Sequence, residues 1–386
     1  MIKFPCLPTA LLALSAPLLP AFVRADDNQA FFAILAETKV SKMAGFKMPA
    51  MHLPPGVKLP PGAMAGMAMA SGAPVRSLNV RLWSPSIAPD GATAFVTPPD
   101  GLLLGNRLDL ELYRPKPEQT TAYTGEPGSG PESNPDFTIK IYWGSSPTVK
   151  DGQPKIIHFG DFTPEQKDAM HKRMAEAHAA GATSYFYKPG WTTGYWPTQT
   201  QPGAIADGAS LLGKYSLTTS YTGNVDIEAP AGVDFLAPIN ITAPDLSEKP
   251  DLTAAIPFKW DPIPNVLGQY ATIMGMEGKN TLILWSSSEV YQDRMMADMG
   301  YLQMAEVRDL VSQTVFMDGA RTQATVPAGI FGDCDFVMMN MAGYGPGAAL
   351  DKAQPLPRIQ TKTTLSVMLG GKKMPARGPM GGGDSQ

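Results

Sequence analysis

The residues best suited to metal chemistry lie in a stretch rich in methionine, proline, glycine and alanine between residues 45 and 75. Its soft ligands are Met48, Met51, His52, Met64, Met67 and Met69. Thioether sulphurs select Cu(I) among the common biological metals. The same composition also suits a flexible linker, because it lacks the apolar side chains that build a core. We therefore expect a linker arm without a cofactor, with copper binding as the alternative.

The most aromatic part of the chain, residues 184–203, is a second candidate binding site. Its candidate ligand-binding residues are Tyr185, Trp191, Tyr195 and Trp196. Aromatic side chains in a loop rich in glycine and proline either form an exposed platform for a sugar ring or a protein partner, or pack beneath the loop as a small core. The sequence leaves both alternatives open.

The histidines do not assemble a metal or catalytic motif. His171 and His178 are two turns apart on a predicted helix, about 10 Å along its axis, which is too far for one metal ion. The chain has no G-x-S-x-G elbow, no phosphate-binding glycine loop and no H-E-x-x-H pair. Catalysis is therefore not the expected role, although an unrecognised hydrolase stays an alternative.

The first 25 residues have the features of a secretory signal peptide. Lys3 precedes a largely apolar run over residues 7–22, and Val23 and Ala25 place small residues before a cleavage point. No later run is long enough to predict a membrane span. The formal net charge of −4 does not favour a nucleic-acid partner. We expect an exported protein in the periplasm or outside the cell, with Cys334 as a buried, inert thiol.

Most of the chain shows the period-two alternation of β-strands, interrupted by three predicted helical regions. The interval 26–47 reads as an amphipathic helix. Thr163, Pro164 and Gln166 are typical of a helix start with a capping box, and this helix is predicted to run to about residue 180. A third helix is predicted over residues 288–315, with Gly300 as a candidate break. The run 358–370 alternates clearly and predicts a strand that adds to a sheet edge, in this chain or in a partner.

A corner between two strands occupies residues 256–270, which read IPFKWDPIPNVLGQY. Ile256, Phe258 and Trp260 alternate with polar or proline residues, and Tyr270 opens the next strand, so Trp260 and Tyr270 are predicted to lie in a core. The sequence of this segment resembles the second and third strands of fibronectin type III and related immunoglobulin-like modules of secreted bacterial proteins. The resemblance covers only the second predicted domain and implies a β-sandwich, a fold that hosts many functions.

These patterns together predict a mostly β protein with two β-sandwich-like domains, a few inserted helices, an N-terminal helix and flexible arms. The predicted divisions are a signal peptide at 1–25, a helix and arm at 26–75, a β-rich domain with an inserted helix at 76–230, an immunoglobulin-like domain at 231–345, and a linker, strand and tail at 346–386. The expected role is binding or structural, in the cell envelope or outside. A protein or glycan partner and an oligomer formed through the C-terminal strand are the partner hypotheses.

Overall fold

The architecture is that of a computed structural model of the 386-residue chain. The residues that the structure describes are 30–46, 72–114, 136–163, 165–166, 191–201, 203, 205–292, 300, 302–349 and 358–372.

Within these ranges the chain forms eighteen strands and one α-helix, α1. In chain order they are β1 Phe31–Met43, β2 Val75–Ser84, β3 Ala94–Thr97, β4 Leu108–Asp109, β5 Glu111–Tyr113, β6 Thr138–Trp143, β7 Lys155–His158, β8 Thr192–Trp196, β9 Gly213–Thr219, β10 Val225–Ala229, β11 Ile241–Ala243, β12 Ile256–Trp260, β13 Gly268–Glu277, β14 Thr281–Ser286, α1 Met304–Ser312, β15 Met317–Asp318, β16 Gln323–Val326, β17 Phe336–Ala349 and β18 Arg358–Gly370. The protein is mostly β, as the alternation predicts.

One large sheet runs through the molecule in the order β5-β8-β2-β1-β18-β17-β13-β14-β6-β7, with β15 paired to β13. It takes strands from both sides of the predicted boundary at residue 230, because β6 pairs in parallel with β14. At its centre β1 and β18 also pair in parallel, which joins the two ends of the chain. The ranges 76–230 and 231–345 therefore do not form separate sheets.

Two smaller sheets cover one face of the large sheet, which we call the packed face. The four-stranded sheet β10-β9-β3-β4 encloses one hydrophobic cluster against β1, β2 and β8, and the three-stranded sheet β11-β12-β16 encloses another against β13, β14, β17 and β18. Each half of the molecule is thus sandwich-like. We call the opposite side of the large sheet the distal face; α1 packs there through Val307 against Tyr270 and Tyr344.

The prediction of a helix over residues 26–47 is wrong for the described part of that interval, which forms β1. Residues 31–38 are all buried, because β1 lies between β2 and β18 with side chains enclosed on both faces. A strand buried on both faces shows a continuous apolar run instead of alternation, and such a run cannot be told from a helix by periodicity. Pairing with strands distant in sequence overrides the local preference.

The two other helix predictions have different outcomes. The capping box at Thr163 is confirmed, since the Thr163 backbone N–H donates to Gln166 Oε1 at 2.9 Å and the Gln166 N–H donates to Thr163 Oγ1 at 3.3 Å. The body of that helix lies outside the described residues. In the interval 288–315 the described helix is confined to α1, which is much shorter than predicted.

The corner at residues 256–270 is confirmed as a core element. Ile256, Phe258 and Trp260 are buried and alternate with exposed neighbours in β12, and Tyr270 is buried as well. The two strands belong to different sheets, with β12 in the three-stranded sheet and β13 in the large one. The corner therefore carries the chain from one layer of the sandwich to the other.

The C-terminal strand is confirmed, but its predicted place at a sheet edge is wrong. β18 pairs with β17 on one side and with β1 on the other, so both of its hydrogen-bonding edges are occupied within the chain. No edge of β18 is left for strand addition by a partner, which removes the basis for an oligomer formed through it. Within the described ranges, no helix combines the length and hydrophobicity that a bilayer crossing requires.

Candidate functional site

Four methionines stand side by side on the distal face of the large sheet. Met43 is paired with Met368, Met368 with Met338, and Met338 with Met274, across β1, β18, β17 and β13. We call this set the methionine row. It brings together thioethers from the beginning, middle and end of the chain.

The orientation of the methionine row follows from strand alternation. The neighbouring residues Val367, Met339 and Ile273 belong to the hydrophobic cluster of the packed face, so the residues next to them point to the distal face. Met43 is 43% exposed, and its three partners are half-buried. These four residues are therefore partly accessible to solvent, unlike Met339 and Met341 in the core.

Aliphatic side chains on the next two strands of the sheet continue the methionine row. Met274 is paired with Leu284 on β14, and Leu284 with Ile141 on β6. Met276 lies on the same face two residues beyond Met274, next to Leu282. A band of thioether and aliphatic side chains thus crosses six neighbouring strands, half-buried as far as Leu284 and buried at Ile141. A contiguous apolar surface makes the distal face a candidate binding surface.

A polar row borders the methionine row, one step along the strands. Ser41, Ser366, Asn340 and Thr272 are half-buried, and Ser366 Oγ donates to Asn340 Oδ1 at 2.6 Å. This hydrogen bond satisfies two polar groups beside the thioethers without adding charge. The immediate surroundings of the methionine row are therefore uncharged on this side.

Farther along the same face lies a group of charges centred on the buried Glu37. Its carboxylate accepts from Thr364 Oγ1 at 2.7 Å, and it lies 3.1 Å from Lys39 Nζ and 3.7 Å from Lys362 Nζ. The side chains of Glu37 and Lys362 are 7% and 10% exposed. Glu37 and Met43 are six positions apart along β1, about 20 Å, so this group is a separate feature from the methionine row.

A cleft of about 440 Å³ opens on the other side of the molecule, beside Arg76, Asp234, Phe235 and Asn265. The Arg76 guanidinium lies 5.1 Å from the centre of the Phe235 ring and donates to the backbone carbonyl of Ala209 at 2.8 Å. Asp234 accepts from Ser210 Oγ at 2.6 Å and from the Leu211 N–H at 2.9 Å. The charges that line the cleft are thus engaged in holding loops together.

The aromatic candidates are divided by the structure. Trp191 is 8% exposed and stacks on Phe31 with ring centres 5.5 Å apart, and Trp196 is 1% exposed in the cluster under the four-stranded sheet. Tyr195 is half-buried, 5.8 Å beneath the Arg81 guanidinium. Tyr185 lies outside the described residues. Neither tryptophan offers a free face, so the two do not form an exposed platform.

The predicted metal residues Met48, Met51, His52, Met64, Met67 and Met69 all lie outside the described residues. Among the described residues, no group of three or more His, Cys, Asp or Glu side chains is arranged to hold a metal ion. His158 is exposed, and its Nδ1 lies 3.0 Å from Thr138 Oγ1. The methionine row was missed by the sequence reasoning.

Cys334 is fully buried and reduced. Burial, reinforced by the nearby carboxylates of Glu277, Asp333 and Asp335, raises the pKa of its thiol to about 12. Thiolate is therefore scarce near neutral pH, and the side chain is suited to packing and not to nucleophilic chemistry.

Neither a family model nor a curated protein sequence matches the chain. The resemblance of residues 231–345 to fibronectin type III modules therefore stays a prediction.

Proposed function

We propose that this chain is an exported binding protein of the cell envelope or the extracellular space. The observation that carries the proposal is the band of half-exposed thioether and aliphatic side chains on the distal face. A folded sheet that keeps such side chains at the surface has a place for a ligand or partner. The export signal predicted at residues 1–25 supports the compartment.

Export is tested by expressing the full chain with a C-terminal tag in a Gram-negative host and measuring the intact mass of the product. We expect a mature protein beginning at Asp26 and recovered outside the cytoplasm. The matched control carries Leu11→Arg and Leu12→Arg in the apolar run, which should keep the chain full-length and cytoplasmic. A wild-type protein that stays cytoplasmic with residues 1–25 attached would refute the proposed compartment.

Copper handling through the methionine-rich arm is the second candidate. It is supported by the thioether and imidazole groups of Met48 to Met69, which are soft ligands, and by the connection of the arm to β1 just beyond Met43. The test is competition for Cu(I) against a chromophoric chelator, with the mature chain compared with a variant whose arm methionines and His52 are replaced by leucine. Equal affinities would remove the arm from consideration.

The burial of Trp191 and Trp196 weakens the glycan-binding alternative, because an aromatic platform needs a free ring face. A protein partner stays compatible with the distal face. Glycan binding and protein binding both occur without metal. The copper titration therefore separates these two alternatives from copper handling by the arm.

A further inference from the structure

We propose that the methionine row of the folded sheet is itself a Cu(I) site, built from the thioethers of Met274, Met338 and Met368 with Met43 beside them. The inference deepens the copper-handling candidate but uses different residues from the arm. It predicts that a folded chain without arm ligands still binds the metal.

The spacing of the strands brings the three central sulphurs within reach of one ion. Met368, Met338 and Met274 occupy directly opposed positions on β18, β17 and β13, so neighbouring Cα atoms are about 5 Å apart and the outer two about 10 Å. Methionine is unbranched and has three rotatable bonds. The outer side chains can therefore lean toward Met338 and place three sulphurs around one position.

The chemistry of these ligands selects the metal. Thioethers are soft and uncharged, and they suit Cu(I), whereas Mg²⁺ and Ca²⁺ require oxygen ligands and Zn²⁺ prefers thiolate or imidazole. The neighbouring polar row contributes the Ser366–Asn340 hydrogen bond and no carboxylate. The site is therefore expected to discriminate against hard divalent cations.

The thiol of Cys334 is kept away from this site by the sheet itself. Cys334 lies in the cluster of the packed face, where its Sγ fills the space beside Gly275; a Cβ added to that glycine would lie 2.6 Å from the sulphur. Gly275 stands between Met274 and Met276, whose side chains point to the distal face. The soft ligands of the distal face are thus thioethers.

Accessibility separates this set from the other methionines of β17. Met339 and Met341 are 1% and 0% exposed and serve as packing in the core, whereas Met338 is half-buried on the opposite face. One short segment therefore holds a matched pair of positions, one accessible and one enclosed. This contrast supplies the control for the experiment.

The test is an anaerobic titration of Cu(I) against a chromophoric chelator, on a mature chain in which the arm ligands are replaced. That baseline variant carries leucine at Met48, Met51, His52, Met64, Met67 and Met69. We expect it to bind one Cu(I). Adding Met338→Leu and Met368→Leu should weaken binding at least about 100-fold, since two of the ligands are removed, while Met339→Leu should leave the affinity unchanged.

A second readout needs no substitution in the folded sheet. In the baseline protein labelled with ¹³C at the methionine ε-methyl groups, Cu(I) should shift the signals of Met338 and Met368 but not that of Met339. Absence of binding to the baseline, or binding that survives loss of Met338 and Met368, would overturn the site. If the baseline fails but the unmodified mature chain binds, the arm candidate stands alone; if neither binds, both proposals fail.

Discussion

Gln269 joins the two layers of the second sandwich and is the most informative position for testing the fold. Its side chain is fully buried; Oε1 accepts from Trp260 Nε1 at 2.9 Å, and Nε2 donates to the carbonyls of Gly319 at 2.9 Å and Arg321 at 2.8 Å. A third carbonyl, that of Asp318, lies at 3.3 Å. The Gln269 amide thus provides the acceptor for the Trp260 indole N–H and the donors for backbone carbonyls of the loop that connects β15 to β16.

Replacing Gln269 with alanine should cost about 3 to 5 kcal/mol of the free energy of unfolding. The Trp260 N–H is left without its acceptor in a buried site, which costs about 1 to 3 kcal/mol, and each of the two close carbonyls loses a donor worth about 1 kcal/mol. The control is Gln323→Ala, because Gln323 is exposed on β16. A surface change of this kind is expected to stay within about 0.5 kcal/mol.

The assay is equilibrium unfolding in urea, followed by tryptophan fluorescence. The variant Gln269→Glu should show a pH-dependent stability, which a simple cavity would not give. Its second carboxylate oxygen would face the backbone carbonyl oxygens, so burial and repulsion raise the pKa of this carboxyl group in the folded state. A raised acidic pKa stabilises the fold below the pKa of the unfolded chain and loses that contribution as pH rises. The variant should therefore approach wild type at pH 4 and fall below it at pH 7. A stability for Gln269→Ala within 0.5 kcal/mol of wild type would refute the reasoning.

Two further predictions concern the charges and the thiol. Glu37→Gln should lower the free energy of unfolding by about 3 kcal/mol in urea melts, because it removes the carboxylate opposite the buried Lys362 ammonium. The control Lys214→Gln breaks an exposed pair with Asp226 and should cost under about 1 kcal/mol. Equal losses in the two variants would contradict this account. The pKa of Cys334 is raised from 9.0 to about 12, so its contribution is complete below pH 9 and lost as pH rises toward 12. The urea midpoint should thus fall more between pH 7 and pH 10 in wild type than in Cys334→Ala, and identical falls would argue against it.

The alternation of β12 and the capping box at Thr163 could be predicted from the sequence because both depend on local interactions. In β12 the residues Ile256, Phe258 and Trp260 are buried on one side, and the Thr163–Gln166 capping box forms within four residues of chain. Each pattern depends on backbone geometry over one or two turns or pleats. The sequence therefore predicts these elements without knowledge of their partners.

β1 shows where local reasoning fails. The run from Phe31 to Ala36 is buried on both faces, because alternate residues belong to the cluster under the four-stranded sheet and to a cluster with Trp191 on the opposite face. Its two edges pair with β2 and with β18, which comes from a distant part of the chain. A stretch of this kind has no period-two signal, and the alanine, glutamate and lysine residues of β1 as a whole suit a helix equally well. Only the sheet order decides the conformation.

The methionine row could be foreseen only in part. The segment from Met338 to Met341 has Met338 and polar Asn340 on one face of the strand and Met339 and Met341 on the other, which indicates that the thioether of Met338 faces outward. The neighbours of Met338 could not be predicted from the sequence. Met43, Met274 and Met368 lie on other strands, and the local sequence does not encode the order of those strands in the sheet.

The amino-acid sequence by itself determined that this protein is mostly β, that the corner at residues 256–270 is a core element and that residues 358–370 form a strand. The tertiary structure decided that both ends of the chain meet at the centre of one sheet and that four methionines share a row. The physical reason is register: a slip of one residue would turn every side chain of a strand to the other face, and register is set by burial across all the strands together.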